Sequence, residues 1–387
     1  MKKGWQTKTL GDVCAFDKAQ GIHRGLPYVG LEHIESHTAR FIGSSEPQPV
    51  KSSTFRFSDE HVLYGRLRPY LNKALAPDFE GHCSTEIFPL KPRPELSREY
   101  LLFWLLADET CDRINETCTG ARMPRAQMND VLGFEIPVPP LPEQRRIVGL
   151  LDEAFAGLAT AKANAEKNLQ NARALFESHL QSVFADQWHV GKLVTLSELA
   201  TDITDGDHLP PPKSPTGVPF ITIGNIVKET REIDFSDTFM VPRAYFDALK
   251  TYKKPRRGDV LYTVTGSFGI PVIVRDDAEF CFQRHIGLVR PKPEISSSWL
   301  YYLLMSPQLL KQANEGATGT AQKTVSLKLL RSFMVPKVAP NQQRQAVGKL
   351  DALNAETRHL AAIYSRKLAV LEALKKSLLH QAFTGEL

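Results

Sequence analysis

Thr119-Gly120 … Ile136-Pro137-Val138-Pro139 … Glu143-Gln144-Arg145 … Val148 … Leu151-Asp152 returns later in the chain as Thr318-Gly319 … Val335-Pro336-Lys337-Val338 … Gln342-Gln343-Arg344 … Val347 … Leu350-Asp351. The offset is 199 residues throughout, so no insertion separates the two copies over this stretch. The register holds to Ala174-Leu175 against Ala373-Leu374, and to Phe184 against Phe383. Upstream it drifts. Leu26-Pro27-Tyr28-Val29 … Ile34 pairs with Val218-Pro219-Phe220-Ile221 … Ile226 at 192, and Val62-Leu63-Tyr64 with Val260-Leu261-Tyr262 at 198. A long-period repeat with a constant C-terminal part and a drifting N-terminal part describes one scaffold carrying two variable heads.

Each copy has the same plan. A first block of short β-branched and aromatic runs is broken by Gly and Pro, as in Val260-Leu-Tyr-Thr-Val-Thr265 and Pro271-Val-Ile-Val274, and reads as strands. An amphipathic helix is expected near 98–107 and again near 297–305. A proline-marked junction follows, Ile136-Pro-Val-Pro-Pro-Leu-Pro142 and Val335-Pro-Lys-Val-Ala-Pro340. Proline stops a strand and opens a helix. Beyond each junction runs a proline-free helical pattern. Its seam residues step by three and four: Ile147, Leu151, Ala154, Leu158, Ala161, Ala165, Leu169, Ala172, Leu175, His179 and Val183 in the first, and Leu350, Leu353, Thr357, Leu360, Tyr364, Leu368, Leu371, Leu374, Leu378 and Ala382 in the second. Such a seam predicts coiled-coil packing. The first seam is Ala-rich and the second Leu-rich, so each suits the other better than itself. The expected fold is mixed α+β: two tandem pseudo-symmetric domains, 1–141 and 189–340, alternating with helical spacers 142–188 and 341–387 that pair as an antiparallel coiled coil.

Of the 387 residues, 42% are hydrophobic and 24% charged, which is a globular composition. No run approaches the roughly 18–20 apolar residues of a membrane helix, and Met1-Lys-Lys-Gly-Trp-Gln6 lacks the apolar core of a signal peptide. Five cysteines, Cys14, Cys83, Cys111, Cys118 and Cys281, form no CxxC pair. They read as isolated thiols in a reducing, cytoplasmic setting. The net charge of +5 is uneven: −1 over 1–141, −1 over 142–188, +4 over 189–340 and +3 over 341–387. That balance permits a polyanionic partner without requiring one.

The motifs of common catalysts are missing. There is no Gly-rich Lys loop, no GxGxxG after a strand, no Asn/Asp-Pro-Pro-aromatic signature of an amino-methyltransferase and no HExxH. Pro77-Asp78 invites a nuclease reading, but Glu86 is followed by Ile87 and Phe88 and not by the required Glu-x-Lys. His23, His33, His208 and His285 are scattered and fit polar loop positions better than metal ligation.

The chain resembles, from end to end, the specificity subunit of a type I restriction–modification system. The residues that carry this are Val62-Leu-Tyr-Gly-Arg-Leu-Arg-Pro-Tyr-Leu-Asn-Lys73, Leu141-Pro-Glu-Gln-Arg145, Asp205-Gly-Asp-His208 with Gly217-Val-Pro-Phe220, Asp259-Val-Leu-Tyr-Thr-Val-Thr-Gly-Ser267 and Gln381-Ala-Phe-Thr-Gly-Glu-Leu387. The second junction departs from the pattern: Asn341-Gln-Gln-Arg344 stands for Pro-Glu-Gln-Arg, losing a first-turn proline and a carboxylate worth about 0.3–1 kcal/mol. The resemblance implies two target-recognition domains, each reading one half of a split, asymmetric double-stranded DNA target. It implies no catalytic centre or bound cofactor in this chain. Two methyltransferase subunits would bring S-adenosylmethionine, and restriction subunits would bring ATP and Mg.

Base edges are read by Arg, Lys, Asn and Gln. In the first domain that set is Arg66, Arg68, Tyr70, Asn72 and Lys73 in one loop, and Thr119, Gly120, Arg122 and Arg125 in another. In the second domain it is Thr265 and Ser267, then Thr318, Gly319, Thr320, Gln322 and Lys323, with His208. Lys250, Lys253, Lys254, Arg256 and Arg257 form a run suited to phosphates, or equally a solvated face. Two other classes compete: a self-contained nuclease or methyltransferase, and a coiled-coil adaptor with two protein-binding heads. Methyl transfer by the single chain would mark the first. Steeply salt-dependent duplex binding would exclude the second.

Overall fold

The computed structural model describes residues 4–320 and 322–387; the opening Met1-Lys2-Lys3 and Ala321 of the second Thr-Gly loop lie outside them. The chain divides into two compact units. The first is Met1–Lys167 with Tyr364–Leu387, and the second is Asn168–Ile363.

At the centre of each unit lies a four-stranded antiparallel sheet. In the first its order is Cys14–Phe16, Ile87–Pro92, Val62–Gly65, Ala74–Leu75; in the second it is Ala200–Asp205, Ile286–Pro291, Val260–Thr263, Pro271–Ile273. Strand alternation explains the cores. Val62 and Tyr64 point to the helix side, among Tyr100, Leu101 and Trp104, while Leu63 points the other way, among Val29, Ile34 and Phe57. Val260 and Tyr262 against Leu261 repeat this in the second unit. Both faces are covered, so Val62–Gly65 and Val260–Thr263 are buried at every residue.

The covering helices, Arg98–Leu106 and Ser297–Met305, lie where the sequence placed them. Ser97 and Ser296 cap them, accepting from the backbone N–H groups of Tyr100 (3.1 Å) and Trp299 (3.3 Å). Two further helices, Asp108–Glu116 and Pro307–Gly316, escaped the sequence reading because one residue, Ala107 or Ser306, parts each from its predecessor. A second small sheet holds the drift. A parallel pair recurs in both units, Tyr28–Val29 with Gly81–Cys83 and Val218–Ile221 with Cys281–Phe282. The antiparallel flank joins Gly81–Cys83 in the first unit but Val218–Ile221 in the second, so it changes sides.

A two-stranded ribbon leads into each long helix, Gln6–Thr9 with Glu135–Val138 and Lys192–Thr195 with Met334–Lys337. The long helices are Leu141–Val190 and Pro340–Thr384. The second therefore keeps a proline as its first residue, contrary to the reading that its junction had lost one. Within the first unit the start of one helix meets the end of the other: Arg146 Nη2 donates to the Leu387 carbonyl at 2.8 Å, and Lys375 Nζ lies 5.5 Å from the Phe155 ring centroid. Within the second, Phe176, Leu180 and Phe184 share a core with Ala346 and Leu350. Both pairings are antiparallel, as expected.

The seam needs correction. Leu151 and Leu350 are buried, and Leu158, Leu169, Leu353, Leu371 and Leu378 are half-buried, but Leu175, Leu360 and Leu374 are exposed. Near its end the first helix packs on the domain as well as on its partner helix. Phe176 meets Tyr302, and Phe184 meets Trp299. The buried face has thereby shifted one residue from the Leu175–Val183 stripe.

Four thiols are buried and Cys118 is partly so; none is paired. Burial pushes Cys14 and Cys281 up to about 12 and Cys111 to about 11, which removes their nucleophilicity.

Candidate functional site

In each unit the two loops named from sequence lie side by side, joined by the same backbone hydrogen bonds. In the first, Arg66 N donates to Glu86 O (2.9 Å), Arg68 N to Pro124 O (2.8 Å) and Ala126 N to Arg66 O (2.9 Å). In the second, Val264 N donates to His285 O (2.9 Å), Gly266 N to Lys323 O (3.1 Å) and Val325 N to Val264 O (2.8 Å). These are corresponding positions at offsets of 198 and 199. The Thr-Gly loops close alike, Thr119 with Arg125 and Thr318 with Thr324 exchanging both backbone bonds. Gly120 and Gly319 have φ of +95° and +110°, and a Cβ on Gly319 would sit 2.3 Å from the Gln322 carbonyl oxygen. Glycine is the residue that tolerates this.

One scaffold thus presents different side chains. In the first unit Arg68, Thr119, Gly120 and Arg122 are exposed, with Tyr70 and Met123 half-exposed. Among the described residues, Arg68 and Arg122 have no side-chain partner. Arg125 is committed: its Nε lies 2.9 and 3.0 Å from the two Glu86 oxygens, and the carboxylate raises the guanidinium's affinity for its proton. Arg66 is half-buried, 5.2 Å from the Phe88 ring and 4.0 Å from Glu86.

Two expected readers turn inward. Asn72 is fully buried, at φ +39°, and its Nδ2 donates to Leu106 O at 3.1 Å. Lys73 Nζ is held by the carbonyls of Leu31 (2.6 Å) and Ile34 (2.9 Å). Left-handed backbone at Arg68 and Asn72 folds the loop back, so these two brace it and do not face outward.

In the second unit Ser267, Thr318, Gly319, Thr320, Gln322 and Lys323 are exposed. Thr265 is half-buried, 3.4 Å from Thr324 through their hydroxyls. His208 is exposed, and its Nε2 lies 2.8 Å from Asp205 Oδ2. A hollow of about 360 Å³ opens here, lined by Asp205, His208, Thr265, Arg284, His285 and Gln322 among others. Arg284 was not singled out from sequence, and His285 was read there only as a polar loop residue. The signal was there: they directly precede Ile286, as Thr85 and Glu86 precede Ile87. Of the basic run, Lys253 is 3.7 Å from Asp207 and Lys254 donates to Asp247 O at 3.1 Å. Arg256 and Arg257 are exposed.

Among the described residues no cluster of His, Cys, Asp or Glu is disposed to hold a metal, and no helix is long and apolar enough to cross a membrane. Such an arrangement offers two edges of exposed hydrogen-bonding side chains, one per unit.

Comparison with known proteins agrees with this plan. The family model described as the type I restriction modification DNA specificity domain matches residues 2–169 and again 187–365. The specificity subunit of the type I restriction enzyme EcoDI of Escherichia coli is 30% identical over 178 residues, 46% of this chain and 39% of that protein. The corresponding EcoBI subunit is 23% identical over 278 residues, 65% of this chain and 58% of that one. The matched part thus spans less than two thirds of either relative's length. A solved chain from a study of complex assembly and conformational transition of the type I R-M system superposes with a TM-score of 0.82 at 23% identity, covering 100% of this chain and 99% of that chain. At that identity the shared fold is what the superposition carries.

Proposed function

The chain belongs to the type I restriction modification DNA specificity domain family, and from that premise we propose that it is the DNA-recognition subunit of such a system. Each unit reads one half of an asymmetric, bipartite duplex target. Two methyltransferase subunits dock on the chain and methylate DNA with their own S-adenosylmethionine; restriction subunits add ATP- and Mg-dependent cleavage. The chain itself performs no chemistry and works in the cytoplasm.

One observation carries this reading: the loop scaffold repeats bond for bond while its exposed side chains differ. A scaffold kept for stability alone gives no reason for its exposed tips to carry different hydrogen-bonding groups in the two copies. Base reading calls for such variation, because each base pair shows its own donor and acceptor pattern in the major groove.

Two results are expected. The purified single chain transfers no methyl group from labelled S-adenosylmethionine to DNA, while the chain assembled with its methyltransferase does; reproducible turnover by the single chain would return the self-contained enzyme to favour. Second, the halves respond separately. Arg122→Ala should lose about 1–3 kcal/mol of discrimination at one half-site only, and Gln322→Ala or Lys323→Ala at the other only. Binding of each variant complex to duplexes varied in one half at a time measures this. An equal effect of Arg122→Ala on both halves would contradict modular reading.

A further inference from the structure

The two reading edges differ in a way that assigns a base. In the first unit Glu86 and Arg125 form an ion pair, with Arg125 Nε at 2.9 and 3.0 Å from the carboxylate oxygens. The corresponding residues of the second unit are His285 and Thr324, so no ion pair fills that place. There the hollow of about 360 Å³ remains. Arg284 lines it, exposed and with no side-chain partner among the described residues; its counterpart in the first unit is the uncharged Thr85.

Resting on the DNA-recognition reading above, we propose that this hollow receives the major-groove edge of a guanine in the second half-site, and that Arg284 determines that base.

The lining decides between a base and a phosphate. Asp205 contributes a carboxylate to the hollow, and its Oδ2 lies 2.8 Å from His208 Nε2. A phosphate would enter beside that negative charge. A base edge is neutral and meets no such repulsion. Gln322 brings both a donor and an acceptor, and His208 and His285 bring one ring nitrogen each, the other being held by Asp205 (2.8 Å) and Gln283 (3.0 Å), which is a mixed set suited to a base pair. Guanine presents two acceptors, N7 and O6, that match the paired donors of a guanidinium. Backbone phosphates have other cations to meet, since Arg256 and Arg257 are exposed.

The test uses the chain assembled with its methyltransferase. The methylated motif is first read from the host chromosome by methylome sequencing. Duplexes of that motif are then made with 7-deazaguanine replacing each guanine in turn, which removes the N7 acceptor alone. One replacement in the second half-site should weaken wild-type binding by about 2- to 12-fold, half in free energy of what a full bidentate pair discriminates, and leave Arg284→Ala binding unchanged. Arg284→Lys, which keeps the charge and a donor but not the fork, should keep only part of that discrimination. Replacements in the first half-site should act alike on wild type and variants. Arg284 is exposed, so these variants are expected to fold as wild type does. If Arg284→Ala weakens every duplex equally and flattens the salt dependence, Arg284 is a phosphate contact and the assignment is overturned. It is overturned also if no 7-deazaguanine position loses its effect in Arg284→Ala. A wild-type complex that reads no split motif would instead overturn the recognition reading itself.

Discussion

Replacing Arg290 with alanine is expected to destabilise the second unit by about 3–5 kcal/mol. Arg290 ties three separate segments together. Its Nε and Nη2 reach the two oxygens of Asp259 at 2.9 and 2.8 Å, Nη1 reaches Asp202 at 3.3 Å, and Nη2 also donates to Lys254 O at 2.9 Å. Side-chain exposure is 13% for Arg290 and 3% for Asp259. Burial works against the guanidinium's charge, but Asp259 and Asp202 together more than offset it and hold its pKa above the ordinary value. Without Arg290 the Asp259 carboxylate would stay buried with no cation, and that uncompensated charge is the main cost. The Lys254 carbonyl would lose its donor as well, loosening the segment that carries Arg256 and Arg257. Chemical denaturation, followed by hydrogen exchange in peptides of residues 254–263, measures the loss. The pair Arg290→Met with Asp259→Leu should be much milder, because it removes both charges together. If Arg290→Ala alone shifts protection by less than 1 kcal/mol, the network is not structural.

The same positions show why some features were legible in the sequence and others were not. The repeat, the α+β block and the antiparallel long helices follow from spacing and alternation, which are properties of a linear string. The pairing of the Arg66–Lys73 loop with the Thr119–Arg125 loop was implicit in their shared repetition. The inward turn of Asn72 and Lys73 was not, because it follows from left-handed backbone at two non-glycine residues. Arg125 looked like a reader because its partner Glu86 stands 39 residues away. Leu175, Leu360 and Leu374 fit a heptad, but the heptad supposes one packing surface and each helix has two. The hollow beside Arg284 depends on what is missing opposite it, Thr324 in place of an arginine, and single-residue reading cannot weigh an absence.

The repeated Glu143-Gln-Arg145 and Gln342-Gln-Arg344 motifs have a physical cause, and it yields the other large effect. Gln144 and Gln343 are almost wholly buried in the first turns of the long helices. Gln144 Oε1 accepts from Ser97 N at 2.8 Å, and its Nε2 donates to Glu95 O and Pro139 O, each at 2.8 Å. Gln343 does the same with Ser296 N (2.8 Å), Glu294 O (3.3 Å) and Val338 O (3.1 Å). Each glutamine therefore ties its long helix to the cap of the domain helix and to the proline-marked junction. Leucine has nearly the same volume but none of the polar atoms. Gln144→Leu would orphan one N–H and lose a donor to two carbonyls in a dry site, at about 1–3 kcal/mol for each group left unsatisfied. A loss of about 3 kcal/mol or more is expected in the first unit, and an equal one in the second for Gln343→Leu. Gln144→Glu gives a signed check. Its carboxylate still accepts from Ser97 but faces two carbonyl oxygens, so the folded protein favours the protonated acid and lifts its pKa above the roughly 4.3 of a free side chain. Folding then binds a proton, and stability should rise as pH falls through that raised pKa. The variant should be weaker than wild type near pH 7 and recover part of the difference near pH 5, measured by denaturant midpoint at each pH. A Gln144→Glu difference that does not change between those pH values would show that the glutamine's amide donates nothing that matters, and that the motif is kept for some reason other than this tie.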